Sequence, residues 1–223
     1  MYQAHSYFIF DLDGTLAYTL EDLCSAMNRM LRFFGLREIS AEETLKNINF
    51  GARTFVRGCL PEELRENEDL VDRAYAKYSE FYAEEYIKTT TLYPYVSEGI
   101  QYLKEHGAKL AVFSNKQDVQ TKAICEKLFP AGTFEIILGH NGQFPHKPSP
   151  EGALYIAELL GGKPEETVLV GDSDVDMKLA ANAGIHPVGV AWGYRPKELL
   201  LQLGAEKILN SLEDFKALIP TIG

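Results

Sequence analysis

The sequence predicts an α/β protein whose core is a Rossmann-like parallel sheet, interrupted once by an inserted helical domain. Two patterns along the chain lead to this prediction. Short apolar runs alternate with helix-like stretches over most of its length, as in proteins that carry helices on both faces of a parallel sheet. Near the N-terminus, one long block contains helix-period segments and no convincing strand-like run.

Five short apolar runs are predicted to be the strands of the sheet. The first ends abruptly at an Asp-rich turn containing Gly14, as a buried strand does. The predicted strands cover residues 6–10, 109–113, 134–138, 167–170 and 187–190. Helix-like stretches accompany them, and most end just before a glycine, where left-handed helix ends are expected. These stretches cover residues 96–106, 119–128, 150–160 and 175–183.

The helical block is predicted to be a separate domain inserted after the first strand. Its helix-period segments cover residues 20–34, 41–47, 53–60 and 70–86. The chain returns to the sheet through a polar, β-branched stretch closed by Pro94, and two short crossings of this kind make a hinge. We therefore predict a core domain of residues 1–16 and 92–223 and an inserted helical domain of residues 17–91.

The composition is that of a globular enzyme with a buried core: 223 residues, 46% hydrophobic and 24% charged. The chain has 22 Lys and Arg residues and 32 Asp and Glu residues, which gives a net charge of -10. This charge argues against non-specific attraction to nucleic acid or an anionic membrane surface. Three widely spaced cysteines outside any CxxC pattern suggest neither a disulfide framework nor a zinc site. With no leader pattern and no run near the ~20 apolar residues of a membrane span, we expect a cytoplasmic protein.

Polar residues follow the predicted strands, at the edge of an open parallel sheet where ligands bind. The first strand is followed by Asp11 and Asp13, two carboxylates that would repel each other unless a cation lay between them. A hard divalent ion such as Mg2+ meets that need with oxygen ligands.

Three further groups stand at comparable positions. Ser114, followed by Asn115, comes after the second core strand and offers a hydroxyl to a phosphate oxygen. Lys147 lies among prolines that restrict the backbone and aim its ammonium group. A second acidic cluster, containing Asp172 and Asp176, follows the strand predicted at residues 167–170 and leads into a helix.

Together these groups resemble the signature blocks of the haloacid dehalogenase superfamily of phosphatases. The blocks occur in order as DLDGTL, the Ser of FSNK, the Lys of HKPSP and GDSDVD, and the resemblance covers nearly the whole chain. The helical insertion resembles the cap domain of the phosphoglycolate phosphatase branch, which has stretches similar to residues 49–53 (NFGAR) and 92–94 (LYP).

The resemblance implies a chemical role for each acidic residue. Asp11 would attack phosphorus and form an aspartyl-phosphate, while Asp13 would protonate the leaving oxygen and later activate water. Mg2+ would be bound by the Asp11 carboxylate, the Asp13 backbone carbonyl and Asp172. Asp176 would support these ligands without binding the ion itself. The dehalogenase members lack the second aspartate of the first block, so Asp13 argues against carbon–halogen chemistry.

The resemblance also implies the residues that hold the substrate. Ser114 and Lys147 would hold the transferring phosphoryl group, with Asn115 beside them. Separately from the resemblance, Arg53 is the residue of the helical domain that we expect to contact the substrate, although an exposed helix arginine is the commoner case.

Simpler structural roles compete with several of these assignments. Asp176 could serve as a first-turn helix residue, and Asp174 stands where a helix N-cap is expected. Asn115 and Lys116 could cap or solvate the following helix. Trp192 to Arg195 follow the last predicted strand and could line the entrance. The aromatic residues of one predicted helix repeat at helical spacing and are expected to form domain core: Tyr75, Tyr78, Phe81, Tyr82 and Tyr86.

The predicted function is a Mg2+-dependent phosphatase acting on a small phosphorylated metabolite, phosphoglycolate-like by resemblance. A sugar-phosphate mutase or a pyrophosphatase of the same superfamily is an alternative, and so is a catalytically silent module that binds a phosphometabolite or a protein. We expect a monomer or homodimer without nucleic-acid or membrane partners. Tyr18 and Thr19 stand where many relatives carry an Asp-Ser pair, and this departure weakens the inference of the substrate.

Overall fold

The computed structural model describes residues 7–48 and 51–219, which pack as two compact units. The α/β unit contains the chain up to Ala17 and from Leu92 onward, and the helical unit spans Tyr18–Thr91. Ala17, which the sequence analysis placed in the helical domain, belongs to the α/β unit. Its backbone explains this, because Ala17 N–H donates to Leu12 O at 2.9 Å and Ala17 O accepts from Gly14 N–H at 3.0 Å.

Eight strands and ten α-helices are found in the described residues. The strands are β1 (Tyr7–Phe10), β2 (Ala17–Tyr18), β3 (Thr91–Leu92), β4 (Lys109–Gln117), β5 (Ile136–His140), β6 (Thr167–Gly171), β7 (His186–Val190) and β8 (Lys207–Leu209). The helices are α1 (Leu20–Phe33), α2 (Ala41–Leu45), α3 (Ala52–Cys59), α4 (Glu68–Glu85), α5 (Val96–Glu105), α6 (Asp118–Leu128), α7 (Glu151–Leu160), α8 (Asp174–Ala183), α9 (Lys197–Gln202) and α10 (Leu212–Lys216). Short 3-10 turns add Glu62–Leu64 and Pro164–Glu166.

The core of the α/β unit is a six-stranded parallel sheet in the order β5-β4-β1-β6-β7-β8. β1 lies centrally, and its last residue Phe10 pairs with Val112 of β4 and Val170 of β6. The connections turn to opposite sides at β1, so the loops after β1, β4 and β6 open a crevice at the carboxyl edge. The separate two-stranded sheet consists of β2 and β3.

Apolar side chains on both faces hold this sheet in place, as expected for a parallel sheet covered by helices. Phe8, Ile9 and Phe10 of β1 are fully buried. On the face of Ile9, side chains from the sheet, α7 and α8 form one cluster of buried residues. Its members include Ala111, Phe113, Leu138, Ala153, Ile156, Leu160, Leu169, Leu179 and Ala180.

The predicted α/β class is confirmed, and all five predicted strands occur, with shifted ends. β4 continues four residues beyond the apolar run to Gln117, with an irregular register after Phe113. β5 begins at Ile136 rather than at Phe134, and Ser6 lies outside the described residues. β8, α9 and α10 were not predicted, because elements of three to six residues are too short to show a period.

The helical unit has its own core, built mainly from α1, α3 and α4. Tyr78 and Tyr82 of α4 are buried and stacked with their ring centroids 5.5 Å apart, and Phe55 of α3 meets Tyr78 edge-on at 5.6 Å. Of the aromatic residues expected to form this core, these two tyrosines are buried, and Tyr75, Phe81 and Tyr86 are half-buried.

One buried carboxylate joins the two ends of the helical unit. Asp22 of α1 accepts hydrogen bonds from the backbone N–H groups of Thr89 and Thr90 at 3.0 Å and from both threonine hydroxyls at 2.8 Å. This network fixes the returning chain beside the start of α1.

In the part of the chain that the structure describes, no helix is both long enough and apolar enough to cross a membrane.

Candidate active site

The predicted acidic residues meet at the carboxyl edge of the sheet, beyond β1 and β6. Asp11 follows β1 directly, and its backbone N–H donates to Val170 O of β6 at 2.9 Å. Asp172 follows β6, and Asp176 lies in the first turn of α8. One carboxylate oxygen from each of the three residues lies within 4.8 Å of the other two, and all three side chains are buried.

Lys147 supplies a positive charge to this cluster. Its ammonium lies 2.8 Å from Asp11 Oδ1 and 2.8 Å from Asp176 Oδ1, with only 3% of the side chain exposed. Burial disfavours the charged ammonium, but attraction to Asp11 and Asp176 outweighs it and raises the pKa of Lys147 above its ordinary value. The lysine therefore stays protonated beside the predicted nucleophile.

Asp176 combines a structural and an electrostatic role. Its Oδ2 accepts from the Ser173 hydroxyl at 2.6 Å and the Ser173 N–H at 3.2 Å, which makes a capping box at the start of α8. Its other oxygen holds Lys147. The N-cap is therefore Ser173, and the expectation that Asp174 caps this helix is wrong, because Asp174 is already helical and pairs with Lys178 at 2.7 Å.

Burial also sets the proton affinity of the other two carboxyls. It raises the pKa of Asp11 to about 7, although Lys147 acts in the opposite direction. Burial, together with the charges of Asp176 and Asp11, raises the pKa of Asp172 well above its ordinary value. Among the residues that the structure describes, the cationic side chains therefore do not offset the cost of burying the charged forms of Asp11 and Asp172.

Asp13 has a cationic partner that the sequence analysis did not anticipate. The ammonium of Lys116 lies 3.1 Å from Asp13 Oδ2, and only 5% of the lysine side chain is exposed. The suggestion that Lys116 merely solvates the next helix is therefore wrong. The sequence contained one signal for this contact. Side chains two residues apart on a strand point to the same face, so a β4 that continues past Phe113 places Lys116 on the same face as Ser114.

Ser114 and Asn115 lie on the irregular part of β4. Ser114 is buried, and its hydroxyl accepts from Lys116 N–H at 3.2 Å. The side-chain amide of Asn115 donates to Lys147 O at 3.1 Å, and its oxygen accepts from Lys147 N–H at 2.7 Å. Asn115 therefore positions the segment that carries Lys147, and its direct contact with phosphate stays a prediction, as does that of Ser114.

Arg53 lies at the start of α3 in the helical unit. Its guanidinium pairs with Glu68 at 2.7 Å and Asp72 at 2.6 Å, and 41% of the side chain is exposed. Its contact with substrate stays a prediction. In the neighbouring stretch used for the family resemblance, Asn49 and Phe50 lie outside the described residues.

The residues present fit a divalent metal ion. The four carboxylates at the sheet edge, from Asp11, Asp13, Asp172 and Asp176, face two ammonium groups, from Lys116 and Lys147. With all four carboxylates ionised, one divalent cation would balance the two negative charges that remain. The donors are hard oxygen atoms, which Mg2+ prefers, and the Asp13 backbone carbonyl follows Asp11 closely enough in the chain to be a further ligand.

Comparison with known proteins identifies the family to which the chain belongs. The model of the haloacid dehalogenase-like hydrolase family matches residues 8–190. Phosphoglycolate phosphatase of Aquifex aeolicus is 34% identical over 186 residues, covering 83% of this chain and 84% of the relative. That of Nitrosospira multiformis is 32% identical over 213 residues, covering 95% and 94%. A crystal structure of CbbY from Rhodobacter sphaeroides in complex with phosphate has a TM-score of 0.71 at 25% identity, covering 93% and 94%.

The chain belongs to the haloacid dehalogenase-like hydrolase family. Within the superfamily it falls in the phosphoglycolate phosphatase-like branch, and it is a phosphoric monoester hydrolase. The resemblance and the enzyme class predicted from the sequence are thereby confirmed.

The raised pKa values predict how the stability of the metal-free protein depends on pH. A carboxyl with a raised folded-state pKa stabilises the fold at low pH, and that contribution is lost as pH rises through the folded-state value, about 7 for Asp11. We expect the Tm in EDTA to fall between pH 5 and pH 8, and saturating Mg2+ to reduce that fall. Thermal unfolding followed by circular dichroism measures both curves. Parallel curves with and without Mg2+ would contradict the assignment of these carboxyls to a metal site.

Proposed function

We propose that this protein is a Mg2+-dependent phosphatase that hydrolyses a small phosphomonoester through an aspartyl-phosphate on Asp11. The observation that carries this proposal is the buried Asp11 carboxylate, 2.8 Å from the Lys147 ammonium and within a cluster of three carboxylate oxygens no more than 4.8 Å apart. The Asp11 and Asp172 carboxylates and the Asp13 backbone carbonyl would hold the ion. When bound, Mg2+ would neutralise charge on the phosphoryl oxygens and reduce repulsion of the nucleophile.

In the first step, Asp11 attacks phosphorus and the bond from phosphorus to the leaving oxygen breaks. Leu12 N–H and Lys147 both contact Oδ1 of Asp11, so Oδ2 is the oxygen we assign to the attack. Lys147 and Ser114 stabilise charge on the transferring phosphoryl group. Asp13 gives a proton to the leaving oxygen, so an alcohol departs.

In the second step, water replaces the alcohol. The Asp13 carboxylate takes a proton from that water as its oxygen attacks phosphorus, and the bond between phosphorus and Asp11 breaks. Inorganic phosphate leaves and the Asp11 carboxylate is restored. Asp176 and Asn115 act indirectly, because one holds the Lys147 ammonium and the other holds its backbone.

We further propose a small substrate of the phosphoglycolate type. The support is the relatives that bear the name phosphoglycolate phosphatase and match most of this chain. Arg53 is the residue of the helical unit that we propose to contact such a substrate. To do so, its guanidinium would have to replace its ion pair with Glu68 or Asp72 by one with a substrate anion. The cytoplasmic location and the monomeric or homodimeric state stay predictions.

Replacing the nucleophile tests the proposed reaction. We expect Asp11→Asn to lose on the order of 10³-fold or more in kcat on p-nitrophenyl phosphate and 2-phosphoglycolate, because an amide cannot form the acyl phosphate. Steady-state release of phosphate with and without Mg2+ measures the loss. Asp174→Asn is the matched control, since it makes the same carboxylate-to-amide change at the start of α8, where Asp174 pairs with Lys178 and does not belong to the cluster of Asp11, Asp172 and Asp176.

Product analysis in the same assay separates the alternatives. Phosphate released from monoesters in the wild type, lost in Asp11→Asn and kept in Asp174→Asn, would support the phosphatase. Transfer between positions of a sugar phosphate would indicate a mutase, and preference for pyrophosphate would indicate a pyrophosphatase. A wild-type protein inert on a broad panel of phosphate esters would favour the silent binding module.

The Lys116–Asp13 ion pair predicts a dependence on the leaving group. Without Lys116, Asp13 loses its buried partner and is less well placed to protonate an alcohol. We expect Lys116→Met to slow phosphoryl transfer from 2-phosphoglycolate to Asp11 by about 10²-fold but to spare the release of p-nitrophenolate in the first turnover of p-nitrophenyl phosphate, because that leaving group needs no proton. Rapid-quench measurement of both substrates tests this.

Lys122→Met is the control for that experiment, since Lys122 pairs with Asp118 near the surface of α6. Equal losses on both substrates in Lys116→Met would show that Lys116 supports the fold of the site and not the placement of Asp13.

A further inference from the structure

We propose that the loop between β7 and α9 is a wall of the acidic site and that Trp192 is a positioning residue for Asp172. The inference rests on the proposed Mg2+ site, and it concerns residues outside the four signature blocks. The sequence analysis placed Trp192 to Arg195 only at an entrance. The structure instead places this loop in direct contact with Asp172.

Asp172 is held from two sides by hydrogen bonds. Tyr194 N–H, from the loop, donates to Asp172 Oδ2 at 2.7 Å. The Thr15 hydroxyl, from the turn after β1, donates to Asp172 Oδ1 at 3.3 Å. The carboxylate is completely buried, so these donors fix the direction in which its remaining lone pairs point.

Two glycines show how closely the walls approach Asp172. A Cβ atom placed on Gly193 would lie 2.2 Å from Asp172 Cβ and 2.8 Å from Gly14 O. A Cβ atom on Gly14 would lie 2.3 Å from Asp172 Oδ2. Real atoms do not approach this closely, so a side chain at either glycine would clash with Asp172, and the backbones of the loop and the turn pack directly against it.

Trp192 joins these two walls to each other. Its indole N–H donates to Thr15 O at 3.0 Å, so the loop and the turn are connected directly. Its ring stacks on Phe215 of α10, with centroids 6.1 Å apart and planes at 19°, and lies beside Tyr93 at 6.4 Å. Phe215 is buried against Gly99 of α5, where a Cβ atom would meet its ring at 2.5 Å.

The consequence is a preorganised metal ligand. Mg2+ tolerates little deviation from octahedral geometry, and residues that orient its ligands typically change metal affinity by about 10- to 100-fold when replaced. Loss of the indole N–H would let the turn and loop separate, and Asp172 would then gain freedom that Mg2+ binding has to remove. Trp192 is also the single tryptophan of the chain, so its fluorescence reports on this site.

The test is calorimetric titration of Mg2+ into the whole 223-residue chain without substrate. Trp192→Phe keeps an aromatic ring for Phe215 but removes the N–H donor, and we expect it to bind Mg2+ about 10-fold more weakly than wild type. Tyr155→Phe, on the surface of α7, is the control and should bind with wild-type affinity. In the wild type, Trp192 fluorescence should change with the same Kd as the calorimetric titration.

The Tm of each metal-free variant separates positioning from general loss of structure. A Trp192→Phe protein that unfolds at a lower temperature but binds Mg2+ with wild-type affinity would overturn this inference alone. Weaker binding with a metal-free Tm close to that of wild type would support it. Wild-type protein that binds no Mg2+ would overturn both this inference and the proposed metal dependence.

Discussion

The burial of like charges at the edge of the sheet is the constraint on which the rest of this site depends. Asp11, Asp172 and Asp176 place three carboxylates out of water and close together, and the Lys147 ammonium contacts Asp11 and Asp176. Such a cluster is unfavourable by itself, because each carboxylate loses hydration and repels its neighbours. In the proposed reaction, a bound cation offsets the repulsion between these carboxylates and also attracts the anionic substrate.

The fold provides the positions at which this cluster can be built. Parallel strands end at one edge, so residues distant in the sequence, such as Asp11 and Asp172, become neighbours. The surrounding backbone then fixes each side chain. The Ser173 capping box orients Asp176, Asn115 holds the backbone of Lys147, and the loop after β7 closes over Asp172. The supporting groups are uncharged backbone, hydroxyl and amide groups, which position the charged side chains without adding charge.

Much of this arrangement could be predicted from the sequence because strand ends and acidic pairs are local patterns. The strand-end rule and the family resemblance together gave Asp11, Asp172, Asp176 and Lys147. What escaped prediction depends on tertiary structure. β4 extends past its apolar run, so the inward direction of Lys116 could not be read from hydrophobicity, and capping by Ser173 instead of Asp174 depends on backbone angles. The role of Trp192 requires the packing of α10, which is too short to predict.

Thermal unfolding of the wild type and Asp11→Asn at pH 8, in EDTA and in Mg2+, tests the central claim of an unbalanced buried charge most directly. If repulsion between the carboxylates at the sheet edge destabilises the metal-free protein, removing one negative charge should raise the Tm in EDTA. Mg2+ relieves the same repulsion, so it should raise the Tm of the wild type much more than that of the variant. A variant that unfolds below the wild type in EDTA, with both proteins responding equally to Mg2+, would contradict the account.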